Sequence, residues 1–111
     1  MDNTPLFKQY AEFISYRPER YGKATLFEDE HILVGLNCLK PGQLMEKHAH
    51  QEQIRFYLVL EGHGVVWVGE DQQQAGPGMA IWVPVRHTHR IQASEDGPMI
   101  LLAGIVPPGA D

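Results

Sequence analysis

From about residue 22 onward, the chain divides into short apolar segments separated by polar breaks. The apolar segments are rich in Val, Ile, Leu and aromatic residues, and Gly, Pro, Asp and Asn bound them. This pattern is typical of β-strands joined by turns. Short strands with frequent turns indicate an all-β sandwich or barrel rather than alternating strands and helices. The predicted strands are at 23–28, 31–39, 45–50, 54–61, 64–69, 79–84, 87–93 and 98–106.

Several of the breaks contain residues that suit sharp turns. The break "KPGQ" at 40–43 has Pro and Gly at its two central positions, which predicts a type II turn. The breaks "EGHG" and "AGPG" contain glycines, which adopt the backbone angles that tight turns require.

Residues 1–21 do not follow the strand pattern, and we expect an N-terminal arm before a single β-barrel domain at 22–111. Within this arm, Thr4 could cap a short helix over 4–16, with Pro5 at its first position. Alternatively, the arm pairs with a neighbouring strand.

Composition and charge narrow the class of protein. A chain of 111 residues has the length of one domain. The net charge is −5 and the nine basic residues are scattered, which argues against a nucleic-acid partner. No apolar run approaches the ~18 residues of a membrane span, and no signal-peptide pattern precedes the strands. We therefore expect a soluble protein without a membrane partner. Cys38 is the single cysteine, which fits a cytoplasmic protein and predicts a buried, inert thiol.

Four of the six histidines form two pairs with one residue between them: His48 with His50, and His87 with His89. Residues two apart on a strand face the same side, with Cα atoms roughly 6.5 Å apart. Two imidazoles at that separation can converge on one metal ion. The spacing alone is not specific, because a polar or solvent-facing strand explains either pair equally well.

The residues around the two pairs give them a family context. The frames are Gly42-x5-His48-x-His50-x4-Arg55-x6-Gly62 and Gly78-x5-Pro84-x-Arg86-x2-His89. They resemble the two motifs of the cupin superfamily: a glycine, two histidines, a glutamate and a glycine, then a glycine, a proline, a glycine and a histidine. The resemblance covers residues 42–90 in the right order. By this resemblance, the chain is identified as a small single-domain cupin.

The resemblance implies a cupin-type double-stranded β-helix, which is a jelly-roll barrel, with a divalent metal ion in its cavity. It also implies a homodimer and a small-molecule ligand. His48 and His50 match the two histidines of the first motif, and His89 matches the histidine of the second. His87 falls outside the motif and is expected in a turn or at the rim.

The departures from the motifs bear on the chemistry. Arg55 stands where the first motif has its glutamate, and a guanidinium cannot ligate a metal because it stays protonated. Gln53 has the strand parity of Arg55, and glutamine sometimes serves as a ligand in cupins. Glu52 has the opposite parity. Arg86 replaces the glycine of the second motif.

Three interpretations of the site remain. In the first, His48, His50, Gln53 and His89 bind a divalent ion. In the second, the three histidines bind it and water fills the open positions. In the third, there is no metal, and Arg55 with the histidines binds an anion. Imidazole and amide ligands suit Fe, Mn, Ni, Co, Cu or Zn, and the spacing selects none of these metals.

The cupin fold itself does not decide the function, because it hosts many chemistries. One hypothesis is a metal-dependent isomerase, lyase or dioxygenase acting on a small anionic molecule. In it, Arg55 clamps a carboxylate, and Tyr57, Glu52 or His87 could transfer protons. Tyr57 could instead simply line the barrel. The other hypothesis is a non-catalytic module that binds a sugar or a carboxylate. Trp67 and Trp82 are expected to form core or cavity walls rather than a sugar platform.

Overall fold

The computed structural model describes residues 5–47 and 52–108. Within these ranges lie nine strands and one short 3-10 helix, Tyr10–Phe13. The strands are β1 (Gly22–Glu28), β2 (Leu33–Leu39), β3 (Leu44–Lys47), β4 (Ile54–Glu61), β5 (Gly64–Val68), β6 (Asp71–Ala75), β7 (Ala80–Val83), β8 (His89–Ala93) and β9 (Met99–Val106).

The strands form two antiparallel sheets. One has five strands in the order β1-β2-β9-β4-β7, and the other has four in the order β3-β8-β5-β6. From β2 to β9, successive strands cross between the sheets except at the β5–β6 hairpin, which confirms the predicted double-stranded β-helix, or jelly roll. None of the helical structure described for this chain is long and apolar enough to cross a membrane.

The main core lies between the two sheets, because alternate residues of each strand face inward. Strand β4 shows this alternation, with Arg55, Tyr57 and Val59 buried and the residues between them partly exposed. Tyr57 packs in one cluster with Met45 of β3 and Ile91 of β8, and all three are at most 1% exposed. The inward face of β4 is thus the surface on which the two sheets meet.

The arm that precedes β1 packs on a second apolar cluster. Tyr10, Phe13 and Ile14 lie against Leu26, Leu36, Cys38 and Ile100. Lys8 Nζ also donates a hydrogen bond to the Leu26 carbonyl oxygen at 2.6 Å. The predicted helix over 4–16 is wrong in extent: only four residues are helical, and no side chain caps that turn. Contacts with the strands hold this segment, and Thr4 lies outside the described residues.

The turn at 40–43 agrees with the sequence. The Gln43 amide donates to the Lys40 carbonyl oxygen at 3.0 Å, and Gly42 has a φ of +79°. This positive φ at the third residue is the mark of a type II turn, and glycine adopts it without strain.

Strand β6 was not predicted, because its sequence "DQQQA" has no run of apolar residues. It pairs with β5 at the edge of the four-stranded sheet, with four exposed residues followed by buried Ala75. The interpretation of Trp82 as a core or cavity wall is confirmed only in part, because Trp82 lines a surface cleft but does not belong to the core. Its side chain is 60% exposed, because it points outward between the buried Ile81 and Val83.

Candidate functional site

Strand β4 places two of the predicted site residues inside the barrel. Arg55 is 8% exposed and Tyr57 1% exposed. On the neighbouring strand β7, Val83 pairs with Arg55 and Ile81 with Tyr57. The two-residue spacing therefore gives both side chains the same inward direction, as their shared parity predicts.

Tyr57 meets His89 across the barrel. The Tyr57 Oη lies 2.7 Å from His89 Nε2, and the ring centroids are 5.3 Å apart. Both side chains are buried, and the imidazole tautomer decides which of them donates. This hydrogen bond fixes the orientation of His89, the motif histidine that lies in the described interior.

Gln53 and Arg55 form a second polar pair. Arg55 Nη2 donates to Gln53 Oε1 at 3.1 Å, and Gln53 Nε2 donates to the Pro107 carbonyl oxygen at 3.0 Å. Gln53 is 8% exposed, so it faces inward as its parity predicts. Its amide oxygen, the atom that would ligate a metal, accepts a hydrogen bond from the guanidinium.

The predicted metal ligands come together only in part. His48 and His50 lie outside the described residues. Within 5–47 and 52–108, no three His, Cys, Asp or Glu side chains lie close enough to hold a metal ion. His89 faces Tyr57, and Gln53 faces Arg55. These described residues alone do not fit a divalent ion, and the four-ligand site stays a prediction.

Arg55 lines a pocket with two lysines, which we call the basic pocket. Lys23 comes from β1, Lys47 from β3 and Arg55 from β4, and the pocket volume is about 220 Å³. The Lys47 Nζ lies 5.8 Å from the centroid of the Tyr21 ring, which also lines the pocket. No Asp or Glu occurs among the described residues that line it. The pocket therefore combines three of the nine basic residues of the chain.

Sequence reasoning identified Arg55 but missed Lys23 and Lys47, because neither belongs to a motif. Lys23 lies on the edge strand β1, and Lys47 is the last residue of β3. The two lysines come to line one pocket only when the two sheets fold over each other. Strand parity offered a partial signal for Lys23, since it is two residues from the buried Tyr21.

A second cavity, which we call the edge cleft, lies between β6 and β7. Its volume is about 560 Å³. Val66, Val68, Met79 and Ile81 give it apolar walls, and Asp71, Gln72, Gln73 and His87 give it polar ones. No Lys or Arg is found among its described lining residues.

The turn after β7 shows how Arg86 occupies the position of a motif glycine. Arg86 has a φ of +64°, in the left-handed region that favours glycine, and its motif position is that of a glycine. Its guanidinium forms a bidentate pair with Glu52, at 2.8 and 3.1 Å, on the surface. Glu52 thus faces solvent, as its parity predicts. His87 is exposed, with Nδ1 3.1 Å from the Val85 carbonyl oxygen.

Cys38 is fully buried on strand β2. Burial raises the pKa of its thiol, and a nearby backbone hydrogen bond only partly offsets this. Because the thiolate is the nucleophile, a raised pKa keeps Cys38 unreactive near neutral pH. This agrees with the expected inert thiol.

The comparisons with known proteins now fix the family. A family model described as "Cupin domain" matches residues 35–105, which is well over half of the chain. The chain therefore belongs to the cupin family, as the two motifs indicated. A search of curated proteins finds no match.

Solved structures show the same fold. The protein TT1209 from Thermus thermophilus is 34% identical, with a TM-score of 0.85, and the alignment covers 91% of this chain and 96% of that one. An uncharacterized protein with a double-stranded β-helix domain from Klebsiella pneumoniae is 17% identical, with a TM-score of 0.87 and coverage of 96% and 94%. A predicted oxalate decarboxylase from Thermotoga maritima is 20% identical, with a TM-score of 0.69 and coverage of 78% and 79%. The last two similarities show the fold alone.

Proposed function

We propose that this cupin binds a small anionic molecule, a carboxylate or a phosphate, in the basic pocket. The observation that carries the proposal is that three cationic side chains from three different strands, Lys23, Lys47 and Arg55, line one cavity. The cavity volume of about 220 Å³ is below the roughly 300–1,000 Å³ of sites for drug-sized ligands. The ligand is therefore the size of a small metabolite.

Arg55 is the anchor of this proposed site. Its guanidinium can hold a carboxylate or phosphate through two parallel hydrogen bonds. Gln53 accepts one Arg55 N–H at 3.1 Å, and so helps to hold the guanidinium in one orientation. An ion pair at this buried position is screened less by water and salt than one on the surface. Lys23 and Lys47 are more exposed than Arg55. Their ammonium groups would attract the anion, but water and salt screen this attraction more strongly.

Calorimetric titration of the purified protein with phosphate and with short carboxylates tests this proposal. We expect saturable binding of at least one of these anions, with affinity that falls about ten-fold in Lys47→Gln, since one charged contact is worth about 1.5 kcal/mol. Lys40→Gln is the matched control, because Lys40 is exposed and does not line the pocket. Equal affinity in both variants, or no binding of any tested anion, would contradict the proposal.

We retain the metal site as a second candidate, supported by the position of His89. This motif residue is 2% exposed and lies within the barrel, where a water-exposed polar role does not explain it. His48, His50, Gln53 and His89 would hold an ion of Fe, Mn, Ni, Co, Cu or Zn, and such an ion would supply Lewis-acid or redox chemistry. Within this candidate, Arg55 and Tyr57 keep their predicted catalytic roles on a bound anion.

Metal analysis of untagged protein, grown and purified with added metals, tests the second candidate. We expect His50→Ala to abolish metal binding and His31→Ala, at an exposed position, to leave it unchanged. Gln53→Ala should weaken it by about ten-fold or more if the amide is a ligand. Less than about a tenth of a metal ion per chain in the wild-type protein would overturn the metal site.

The homodimer is a further part of the proposal. Phe7 is 91% exposed and Trp82 60% exposed, and exposed large apolar side chains of this kind are common in subunit interfaces. Sedimentation equilibrium should give about twice the monomer mass. Trp82→Ser should shift the equilibrium toward the monomer. Val85→Ser, which removes a smaller and less exposed apolar side chain nearby, should shift it less.

A further inference from the structure

The outer face of the five-stranded sheet is apolar from one edge to the other. Residues paired across an antiparallel sheet project from the same face, and two rows of paired residues cross all five strands on the side away from the main core. We call these two rows the apolar face. One row is Trp82, Phe56, Gly104, Val34 and Phe27, and the other is Ala80, Leu58, Leu102, Leu36 and Ala24. An antiparallel sheet with one face in water normally has polar residues on that face, and apart from the indole N–H these rows have none.

The other sheet shows the pattern expected for a face in water. Two rows of paired residues also cross its outer face from β3 to β6. They are Leu44, Gln92, Val65 and Gln74, and Glu46, Arg90, Trp67 and Gln72. Five of these eight side chains are charged or carry an amide. The apolar face is therefore a property of one sheet and not of the surface of this chain in general.

The N-terminal arm covers only one side of the apolar face. Its residues pack on the second apolar cluster, which includes Leu36 of β2 and Leu102 of β9. Phe56, Leu58 and Trp82, toward the β7 edge, are not among the described members of that cluster. Of the six large apolar side chains that are exposed among the described residues, all but Leu44 lie on the arm, on β7 or directly after it: Leu6, Phe7, Tyr16, Trp82 and Val85. The uncovered apolar surface is thus concentrated around this one sheet.

The apolar face is also flat and broad. Any side chain in place of Gly104 would collide with the ring of Phe56, which shows that this ring lies across the neighbouring strand. Five strands at ~4.8 Å and about seven residues at ~3.3 Å give a plan area of roughly 500 Å². The exposed Leu6 and Phe7 of the arm add to it. This approaches the ~800 Å² that each partner buries in a standard interface.

The chemistry of the face indicates which partner fits it. Its two rows offer no charge to a charged or strongly polar partner. A membrane surface is disfavoured, because the chain has a net charge of −5 and cytoplasmic leaflets are negative. A second copy presents a face of equal size that is equally apolar, and a two-fold axis brings such a surface against itself.

We propose that two copies of this chain pack their apolar faces against each other about a two-fold axis. The two arms lie at the margins of this contact, and the two four-stranded sheets face water on opposite sides of the dimer. Removal of apolar surface from water stabilises the pair. This inference rests on the homodimer proposed above and names the surface that forms it. It is independent of anion binding in the basic pocket.

Sedimentation velocity over a range of concentrations tests the proposal with two matched variants. Leu58→Glu brings a carboxylate from each copy into an apolar contact, and we expect the dissociation constant of the dimer to rise at least about 100-fold. Val65→Glu is the control, because Val65 is likewise half-buried and projects from the outer face of the other sheet. We expect it to change the dissociation constant less than about two-fold.

Fluorescence provides a measurement that does not require a charge in the sheet. Trp67→Phe leaves Trp82 as the only tryptophan. We expect acrylamide quenching of Trp82 to rise at least about two-fold when the dimer is diluted to monomer, since the partner would cover the ring. Quenching that does not change with dissociation would overturn the proposed surface.

The outcomes separate this inference from the homodimer itself. A dimeric wild-type protein with the same dissociation constant in Leu58→Glu would overturn the apolar face as the interface, and the homodimer would stand. A wild-type protein that is monomeric at every concentration would overturn both. Circular dichroism of each variant confirms that a loss of association is not a loss of fold.

Discussion

The basic pocket and the edge cleft lie in different parts of the same jelly roll and differ in both size and charge. The edge cleft is the larger, at about 560 Å³ against about 220 Å³. The smaller pocket nevertheless has three cationic side chains, and the described lining of the larger one has none. Charge of one sign that lines a cavity from separate strands is a stronger indication of a specific ligand than volume, because such a cavity concentrates the electric field on a ligand of the opposite sign.

The largest effect should come from Arg55→Gln. Loss of the guanidinium removes the buried anchor of the basic pocket, and charged hydrogen bonds of this kind are worth about 1.5–3 kcal/mol. We therefore expect anion affinity to fall about 100-fold, measured by titration calorimetry. Arg55→Lys keeps the charge but not the planar fork, and should lose about ten-fold. Unchanged affinity in Arg55→Gln would move the binding site away from the basic pocket.

The next effect should be on stability, through the interior between the sheets. Tyr57→Phe removes the hydroxyl that lies 2.7 Å from His89 Nε2 and leaves a buried polar atom without this partner. We expect a loss of about 1–3 kcal/mol, or several degrees in the melting temperature of a domain of this size. Tyr16→Phe, at a 41% exposed position, is the control. A similar melting temperature for both variants would mean that the buried hydrogen bond contributes little.

Salt should show whether Lys23 contributes to anion binding in the basic pocket. Raising sodium chloride from about 0.05 M to about 0.5 M shortens the screening length severalfold and weakens exposed charge interactions. We expect wild-type anion affinity to fall a fewfold, and Lys23→Met to show a smaller salt dependence, because Lys23 is exposed. A salt dependence that is identical in the two proteins would argue that Lys23 does not contact the anion.

The smallest effect should come from the edge cleft. Asp71→Asn removes the carboxylate that lines it, and this residue is exposed on the edge strand β6. We expect anion affinity to change less than about two-fold. A change of ten-fold or more in anion affinity, measured by titration calorimetry, would show that the edge cleft also takes part in anion binding. The basic pocket would then not be the only site of the proposed function.

Much of the fold follows from the sequence, because apolar strands and glycine-rich turns are local signals. The turn at 40–43 and the inward side of β4 are two cases in which these signals were sufficient. Strand β6 was missed because its side chains are polar and exposed. An edge strand is held by backbone hydrogen bonds to its neighbour, and side-chain patterns do not report these.

The candidate site followed from the sequence only where motif and parity acted together. They placed Arg55, Tyr57 and His89 in the interior, and all three are buried there. They could not provide the contact of Tyr57 with His89 or the shared pocket of Lys23 and Lys47, since each brings together residues from different sheets. His48 and His50 lie outside the described residues, and their role as ligands stays a prediction.

Arg86 shows that two departures from one motif can have opposite meanings. Its φ of +64° is the backbone shape for which a glycine is normally chosen, and the chain keeps that shape at a strain of about 1–2 kcal/mol. Replacement of the motif glycine has therefore changed a surface side chain while preserving the path of the chain. Arg55, in contrast, keeps its place on the strand but changes the charge inside the barrel. Both are departures from the motif glycine or glutamate, but only the change at Arg55 alters the charge of the barrel interior, and the proposed anion binding depends on that change alone.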